Sequence, residues 1–410
     1  MMKKLVTATI IGLAICMGPG QASALSPETE MLLELLQAKG VISQTDADSF
    51  KQTIARRLAA DADQDDGHYH SVQSLATRLE KLEKQPDPYA SGLLNHIELS
   101  GLIEVEAASS RDNDGAGTTS NSSDISLATA ELDLDVTIND YMSGHLAFLY
   151  EEDSGDPIIL DVGIISLTGG EQLPLALNAG RMYLPFGQFE SHFITDPLTL
   201  TLGETNDAAV VIGYENPLLT ANIGAFNGAV HEDGKDDTIN SFVGSLGLTL
   251  PEGTVPGLAA NIGISYLSNM ATSDELQGTV STVSGNLTDM VASYSAFGHF
   301  EFHETFFLEL EYLSAVDDFT IGDLTFIDAD NRNPSALNIE LAAAVLPQLE
   351  VGLRYGSTSD VGNAYPDNMY GAVLLYGFLD NAAFILEYMD QEFSDNSDSK
   401  SATAQIAVEF

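Results

Sequence analysis

Hydrophobic and polar residues alternate along most of the chain from residue 93 onward. At its end, in residues 401–410, mostly polar side chains alternate with Ala402, Ala404, Ile406, Val408 and Phe410. A period of two residues is typical of a β-strand with one apolar face. The same period recurs around 97–106 and 131–138, with carboxylates on the polar face. This pattern favours a transmembrane β-barrel, with lipid outside and water inside, over a soluble β-sandwich.

Sixteen segments show this period, and we predict one strand in each: 93–107, 124–138, 141–152, 157–166, 175–184, 207–215, 218–227, 240–250, 258–268, 289–302, 306–315, 336–346, 349–356, 369–378, 382–389 and 401–410. The count is even, as a single-chain bacterial barrel requires. Long polar connections, among them 108–123, 185–206, 269–288 and 316–335, alternate with short turns such as 139–140 and 251–257. The predicted fold is therefore an all-β transmembrane barrel of about 16 antiparallel strands over residues 90–410, with all long loops at one rim.

The chain before the barrel has two predicted parts. Residues 1–24 have the basic start, apolar stretch and Ala-Ser-Ala site of a secretory signal peptide, and the single cysteine, Cys16, lies inside it. Residues 25–89 are predicted to form a periplasmic helical region, with helices near 26–39 and 45–60. Apolar residues at heptad spacing within 68–84 indicate a short coiled coil that would support a homotrimer. A lone amphipathic helix that forms no coiled coil remains the alternative.

Composition narrows the partners. The chain has 61 Asp and Glu against 15 Lys and Arg, a formal net charge of −46, yet 44% of its residues are hydrophobic. Nucleic acid is excluded as a partner because phosphate binding needs a basic surface. The expected partners are outer-membrane lipids, lipopolysaccharide and a small-molecule solute.

Strand parity places a set of carboxylates in the lumen of the predicted barrel. They are Glu98, Glu104, Glu106, Glu131, Asp133, Asp135, Asp161, Glu309, Glu311, Glu340 and Glu350. Rings of carboxylates favour cations and repel free anions. The alternative is that much of the acidity only solvates the external loops. Because sixteen strands leave an aqueous channel, the sequence predicts a pore.

The third long loop is the candidate constriction of this pore. It follows the segment Ala179-Gly180-Arg181-Met182-Tyr183-Leu184-Pro185-Phe186-Gly187, and it carries Glu190, His192, Phe193, Asp196 and Glu204. Folding into the lumen would let these side chains narrow the pore. Arg181 shares the strand face of Leu175, Leu177 and Tyr183, so it points outward unless a β-bulge shifts the register.

The Gly-Arg-x-x-x-Pro-Phe-Gly segment resembles a motif of the phosphate-selective-porin-like superfamily. Together with the signal peptide, the helical region and the barrel, it makes the chain most similar to the LbtU-type siderophore porins of Gram-negative bacteria. The resemblance implies passage of a ferric siderophore without TonB and without a plug domain. This chain lacks the Lys and Arg ladder of anion-selective relatives, which argues against phosphate as the solute.

Signatures of other functions are weak. The sequence has no H-E-x-x-H or G-x-S-x-G motif, so we expect no enzyme, no cofactor and no metal site. The acidic stretch 61–67 lacks the Gly and the final Glu that an EF-hand needs, and His299 and His303 are expected to be polar lumen or interface residues. Three functions remain open: a ferric-siderophore pore, a general cation-preferring porin, and a structural or adhesive barrel.

Overall fold

A computed structural model describes residues 96–410, apart from 153–156, 171–172, 282–284 and 328–329. The signal peptide over 1–24, the helical region over 25–89 and the trimer through 68–84 lie outside the described residues and stay predictions. None of the helices among the described residues could span a membrane.

Sixteen antiparallel strands of the described chain form one closed barrel, in which each strand pairs with its sequence neighbours. The strands are β1 (Ile97–Asn113), β2 (Thr119–Asn139), β3 (Met142–Tyr150), β4 (Ile159–Thr168), β5 (Leu175–Tyr183), β6 (Asn206–Glu215), β7 (Leu219–Phe226), β8 (Ser241–Val255), β9 (Leu258–Leu267), β10 (Ser293–Phe302), β11 (Phe306–Ala315), β12 (Ser335–Leu346), β13 (Leu349–Ser359), β14 (Asn368–Leu379), β15 (Ala382–Glu392) and β16 (Asp398–Glu409). The described parts of the long loops contain two short α-helices, α1 (Leu198–Gly203) and α2 (Asp274–Gln277), and one 3-10 helix (Met270–Thr272). The predicted barrel and its sixteen strands are confirmed.

The first and last strands close the barrel. Their ladder runs from the pair Leu102–Glu409 to the pair Asn113–Asp398. The backbone N–H of Phe410 donates to the oxygen of Gly101 over 3.0 Å, and that of Gly101 donates to the oxygen of Phe410 over 3.1 Å. Gly101 leaves room for the terminal ring, because a Cβ there would lie 2.7 Å from a ring carbon of Phe410.

The two faces of the barrel wall differ in chemistry. Outward side chains are apolar and exposed, for example Ile165 at 58%, Ile223 at 65% and Leu353 at 62%. Exposed aromatic side chains that share this outer surface include Tyr294, Phe302, Phe306, Tyr312, Tyr370, Tyr376 and Phe410. An apolar belt with aromatic residues at its edges is the surface that a bilayer requires of a barrel.

The prediction of a long loop over 108–123 was wrong, because β1 and β2 continue through most of it. In this extension small polar residues pair across the hairpin, and the hydroxyls of Ser110 and Ser122 lie 2.7 Å apart. The ladder needs only backbone groups, so strands continue without an apolar face. Similarly, β8 extends to Val255 into the predicted turn 251–257.

A packed apolar core occupies part of the barrel interior near the long loops. The segments 269–288 and 316–335, predicted as polar external loops, bury Leu276, Leu287, Phe319 and Ile327 completely. These side chains form one cluster with inner-face residues such as Leu313. The two loops are also linked, since the carboxylate of Asp323 accepts hydrogen bonds from the backbone N–H and hydroxyl of Thr288 at 2.9 Å. The barrel wall encloses these loops, and this enclosure provides the dry environment for their apolar residues.

Candidate functional site

The loop 184–205 turns from the end of β5 into the barrel interior. Gly187 adopts φ +75°, a conformation that side chains disfavour, and a Cβ there would lie 2.2 Å from the ring of Phe189. Its backbone N–H donates to the hydroxyl of Ser265 over 2.8 Å. This turn directs residues 188–196 along the inner faces of strands β11 to β15.

Carboxylates on those inner faces hold the loop by its backbone. Glu311 accepts hydrogen bonds from the N–H groups of Gln188 (3.1 Å) and Phe189 (2.9 Å). Glu340 accepts from the N–H of His192 (2.9 Å), and Glu387 accepts from the N–H of Thr195 (3.0 Å). We call the inner faces of β10–β15 the anchored wall; its carboxylates in contact with the loop are Glu309, Glu311, Glu340, Glu350 and Glu387.

Arg354 fastens the middle of the loop to the anchored wall. Its Nε and Nη2 atoms lie 2.9 Å and 2.8 Å from one oxygen of Glu340, and both side chains are fully buried. Its Nη1 donates to the carbonyl of Thr195 over 2.5 Å, and its guanidinium lies 4.3 Å from the ring centroid of Phe193. The sequence analysis assigned no role to Arg354. The available signal was a basic residue on the inward parity of a strongly acidic barrel.

His192 joins the loop to two further carboxylates. Its Nδ1 lies 2.6 Å from Glu350 and its Nε2 lies 3.6 Å from Glu309. Burial lowers the pKa of His192, but hydrogen bonds to these carboxylates and their negative charge outweigh burial and raise the pKa to about 10. The imidazole is therefore a cation at neutral pH and adds to the electrostatic attachment of the loop.

The other end of the loop lines a cavity of about 750 Å³ at the long-loop rim. The cavity lies where β4 and β5 separate, beyond their last ladder pair, Gly163–Arg181. Its polar lining includes Glu151, Asp161, Arg181, Tyr183, Asp196, Glu204, Asn206, Asp274 and Glu275. One arginine thus shares this space with six carboxylates.

A β-bulge shapes this cavity. Ala147 pairs with Val162 and Phe148 with Leu160, so Asp161 is the extra residue of β4. The carboxylate of Asp161 is buried and accepts hydrogen bonds from the hydroxyl of Tyr183 (3.0 Å) and the amide of Asn206 (2.9 Å). Arg181 stands opposite the exposed Ala208 in the ladder and so keeps the outward parity expected from sequence, while its position at the rim lets it line the cavity.

Burial raises the pKa of several carboxylates in the cavity. Burial, together with the nearby charge of Asp274, raises the pKa of Glu204 to about 7. Burial also raises the pKa of Asp274 to about 6, against the opposing effects of the Asn206 N–H and the Arg181 charge, and burial raises the pKa of Asp196. Near neutral pH this cavity holds both protonated and ionised carboxyl groups.

The inner faces of β1–β3, which we call the open wall, carry Glu98, Glu104, Glu106, Glu131, Asp133 and Asp135. Most of these carboxylates are half-buried, and the side chain of Asp135 is 53% exposed. His145 lies 2.9 Å from Asp135 and 3.8 Å from Asp133, and the amide of Gln405 donates to Glu106 over 2.8 Å. Sequence parity therefore grouped the carboxylates of both walls, whereas the structure divides them by their contact with the loop.

No protein-family model matches the chain. Curated proteins and solved structures that are similar to it were found. The chain is 27% identical over 264 residues to a UPF0422 protein of Coxiella burnetii, covering 62% of this chain and 56% of that protein. It is 27% identical over 225 residues to a UPF0422 protein of Legionella pneumophila strain Lens, covering 50% of this chain and 41% of that protein. The chain thus spans about half the length of the curated relatives it matches.

Two solved structures share the fold. One is Salmonella typhi OmpF in complex with daunomycin, with a TM-score of 0.52 and 12% identity over 77% of this chain and 97% of that one. The other is the anion-selective porin from Comamonas acidovorans, with a TM-score of 0.53 and 13% identity over 77% of this chain and 99% of that one. The described part of the chain therefore has the fold of these porins, a closed sixteen-stranded β-barrel.

Proposed function

We propose that this barrel is an outer-membrane pore through which small solutes diffuse, with a preference for cations. The observation that carries the proposal is the open wall, where six carboxylates face the interior, most of them partly accessible. Those of the anchored wall are occupied by the loop 184–205. Solutes would therefore meet the acidity of the open wall.

The physical reason for the cation preference is the electrostatic field inside a narrow channel with low-dielectric walls. Carboxylates in such a setting raise the local concentration of cations and repel free anions. The inner faces of β1–β3 carry no Lys or Arg to oppose them. The packed apolar core and the anchored loop occupy other parts of the interior, so they reduce the cross-section and bring solutes closer to the open wall.

A finer proposal is that the specific solute is a ferric siderophore that enters without TonB. It rests on the resemblance of the Gly180–Gly187 segment to the LbtU-type siderophore porins. The cavity of about 750 Å³ beside this segment adds support, because small-molecule sites generally have volumes of about 300–1,000 Å³.

Reversal potentials in planar bilayers test the cation preference. The full chain, purified from outer membranes, should conduct and show a reversal potential that favours K⁺ in a KCl gradient. In the triple variant Glu104→Gln/Glu131→Gln/Asp133→Asn this potential should move toward zero, because three inward charges are lost.

The matched control removes three exposed loop carboxylates, as Asp236→Asn/Asp317→Asn/Asp318→Asn, and should keep the wild-type potential. Anion preference in the wild type, or equal shifts in the two triple variants, would contradict the proposed selectivity. An absence of current would leave the structural barrel as the better interpretation.

The siderophore proposal has its own readouts. Ferric siderophores added to the bilayer chamber should block the current reversibly, and deletion of the gene should slow growth when iron is limiting. Current and growth that are both indifferent to siderophores would remove this solute and leave the general cation-preferring pore intact.

A further inference from the structure

Three potential metal ligands meet where the loop 184–205 contacts β10 and β11. His299 and Glu309 are ladder partners, and the His299 Nδ1 lies 2.5 Å from an oxygen of Glu309. Glu190 reaches the same nitrogen from the loop, with an oxygen 3.2 Å away. One ring nitrogen therefore faces two carboxylates, and all three ligand atoms lie within 4.8 Å of one another. A single proton on Nδ1 can make a good hydrogen bond with only one of the two carboxylates, whereas a bound cation can interact with both.

A fourth potential ligand lies on the neighbouring strand. Asn338 on β12 is 2% exposed, and its amide nitrogen donates to Glu340 over 3.0 Å. Its Oδ1 is buried and has no hydrogen-bond partner among the described residues. A buried oxygen without a partner is unfavourable, and a bound cation would compensate it.

These residues surround one small cavity. Glu190, His299, Glu309 and Asn338 all line a space of about 10 Å³, which is about the size that one water molecule or one ion requires. The side-chain amide of Gln188 donates to the other oxygen of Glu190 over 2.9 Å and so orients this carboxylate. Partners of this kind, bonded to the ligands themselves, tune and fix metal sites.

The ligand chemistry selects the class of cation. One imidazole nitrogen with carboxylate and amide oxygens suits first-row transition metals and Zn²⁺, whereas Mg²⁺ and Ca²⁺ prefer all-oxygen sites. Ligand atoms at about 2.0–2.2 Å from a tetrahedral Zn²⁺ lie roughly 3.3–3.6 Å apart. The 3.2 Å between Glu190 and His299 is close to this separation. The 2.5 Å hydrogen bond between His299 and Glu309 would lengthen when the metal replaces its proton.

We propose that Glu190, His299, Glu309 and Asn338 bind one divalent transition-metal cation of the Zn²⁺ class. The two carboxylates balance its charge. Because Glu190 belongs to the loop while the other ligands belong to β10–β12, the ion ties the loop to the anchored wall. This role does not depend on transport through the barrel.

Isothermal titration with ZnCl₂ tests the site, using the full chain purified in detergent and stripped of metal with EDTA. The wild type should bind one more Zn²⁺ per chain than His299→Gln. Glu190→Gln should weaken that binding at least about tenfold, the lower end of what is seen when even the supporting residues of metal sites are removed. All variants should first show the mobility of a folded barrel in unheated gels.

His145→Gln is the matched control, because His145 also contacts two carboxylates, Asp133 and Asp135, on the open wall. It should bind as much Zn²⁺ as the wild type. Hydrogen exchange supplies a second readout: Zn²⁺ should slow exchange in residues 188–196 of the wild type and not of Glu190→Gln. Equal stoichiometry in the wild type and His299→Gln, or equal losses in His299→Gln and His145→Gln, would overturn the proposal.

Discussion

The anchored wall and the open wall have the same alternation of carboxylates along their strands but opposite environments. Glu340 on the anchored wall is fully buried, whereas the side chain of Asp135 on the open wall is 53% exposed. The difference arises from the loop 184–205, whose backbone N–H groups and His192 contact the carboxylates of the anchored wall. The period of a strand therefore decides which face a carboxylate occupies, and loop contacts decide whether that carboxylate is structural or available to solutes.

The anchored wall also shows how a barrel interior tolerates buried charge. An ionised carboxylate out of water is unfavourable unless hydrogen bonds and an opposite charge compensate it. Glu340 receives the His192 N–H and the Arg354 guanidinium. Such groups are strongly coupled, so removing one partner costs far more than the net contribution of the pair.

Among the variants, Arg354→Met should destabilise the anchored wall most. It leaves Glu340 buried without its cation and removes the contacts with the loop at Thr195 and Phe193. We expect a loss of about 3–5 kcal/mol in the free energy of unfolding, measured by circular dichroism during urea titration in detergent. The loop should also become cleavable by protease.

Lys400→Met serves as the control for charge removal. Its ion pair with Asp390 spans 2.6 Å, and the side chain of Lys400 is exposed, so water screens the interaction and little stability depends on it. If Lys400→Met and Arg354→Met shift the urea midpoint equally, the loop is not held in the way described.

Gly371→Ala should have an intermediate effect, because the loop packs directly on the backbone of β14. A Cβ at Gly371 would lie 2.7 Å from the ring of Phe193 and 3.0 Å from the sulfur of Met389. Overpacking of this kind costs about 1–3 kcal/mol, and we expect it to displace Phe193 from Arg354. Urea titration and protease cleavage of the loop measure the two consequences.

Gly377→Ala is the matched variant on the same strand and the same face. A Cβ there would have no atom of the described chain within 4 Å. Its unfolding free energy should stay close to that of the wild type, and a loss equal to that of Gly371→Ala would show that strand propensity, rather than contact with Phe193, causes the change.

The smallest effect is expected from pH at the far end of the loop. The pKa of Glu204 is raised to about 7 in the folded protein, above its value of about 4.3 in an unfolded chain. Its contribution to stability is therefore fully present below about pH 4.3 and is lost as pH rises through about 7. Glu204→Gln should remove this loss and gain roughly 1 kcal/mol at pH 8, after allowance for solvent screening.

Unfolding free energies at pH 4.5 and pH 8 measure this difference. Glu275→Gln, an exposed residue lining the same cavity, should follow the wild type at both values. A Glu204→Gln protein whose pH dependence equals that of the wild type would show that Glu204 is not the titrating group.

Sequence alone predicted the sixteen strands because alternation is a local property that each segment displays independently. The extension of β1 and β2 beyond the predicted strands was not predicted. Residues there, such as Ser110 and Ser122, pair in water and show no apolar face. The buried core near the long loops escaped for another reason. Phe319, Leu324 and Ile327 are separated by polar residues, and only enclosure by the wall brings them against Leu313.

The alternation of residues along the strands predicted that Glu309, Glu311 and Glu340 face inward. It could not predict that the loop 184–205 folds back and contacts them. The contact between Arg354 and Thr195 joins residues 159 positions apart, and no local pattern encodes a pairing of that range. For the same reason, the sequence did not predict the contact between Glu190 and His299.

The seam between β1 and β16 has a consequence for the kinetics of folding. It joins residues as far apart as Asn113 and Asp398, which are 285 positions apart. Loop-closure entropy grows only slowly with length, so the thermodynamic cost is moderate, but pairings of such range form late. Until then the edge of β1 is free to pair with another chain. Refolding yield should therefore fall as protein concentration rises, because closure of one chain competes with association between chains.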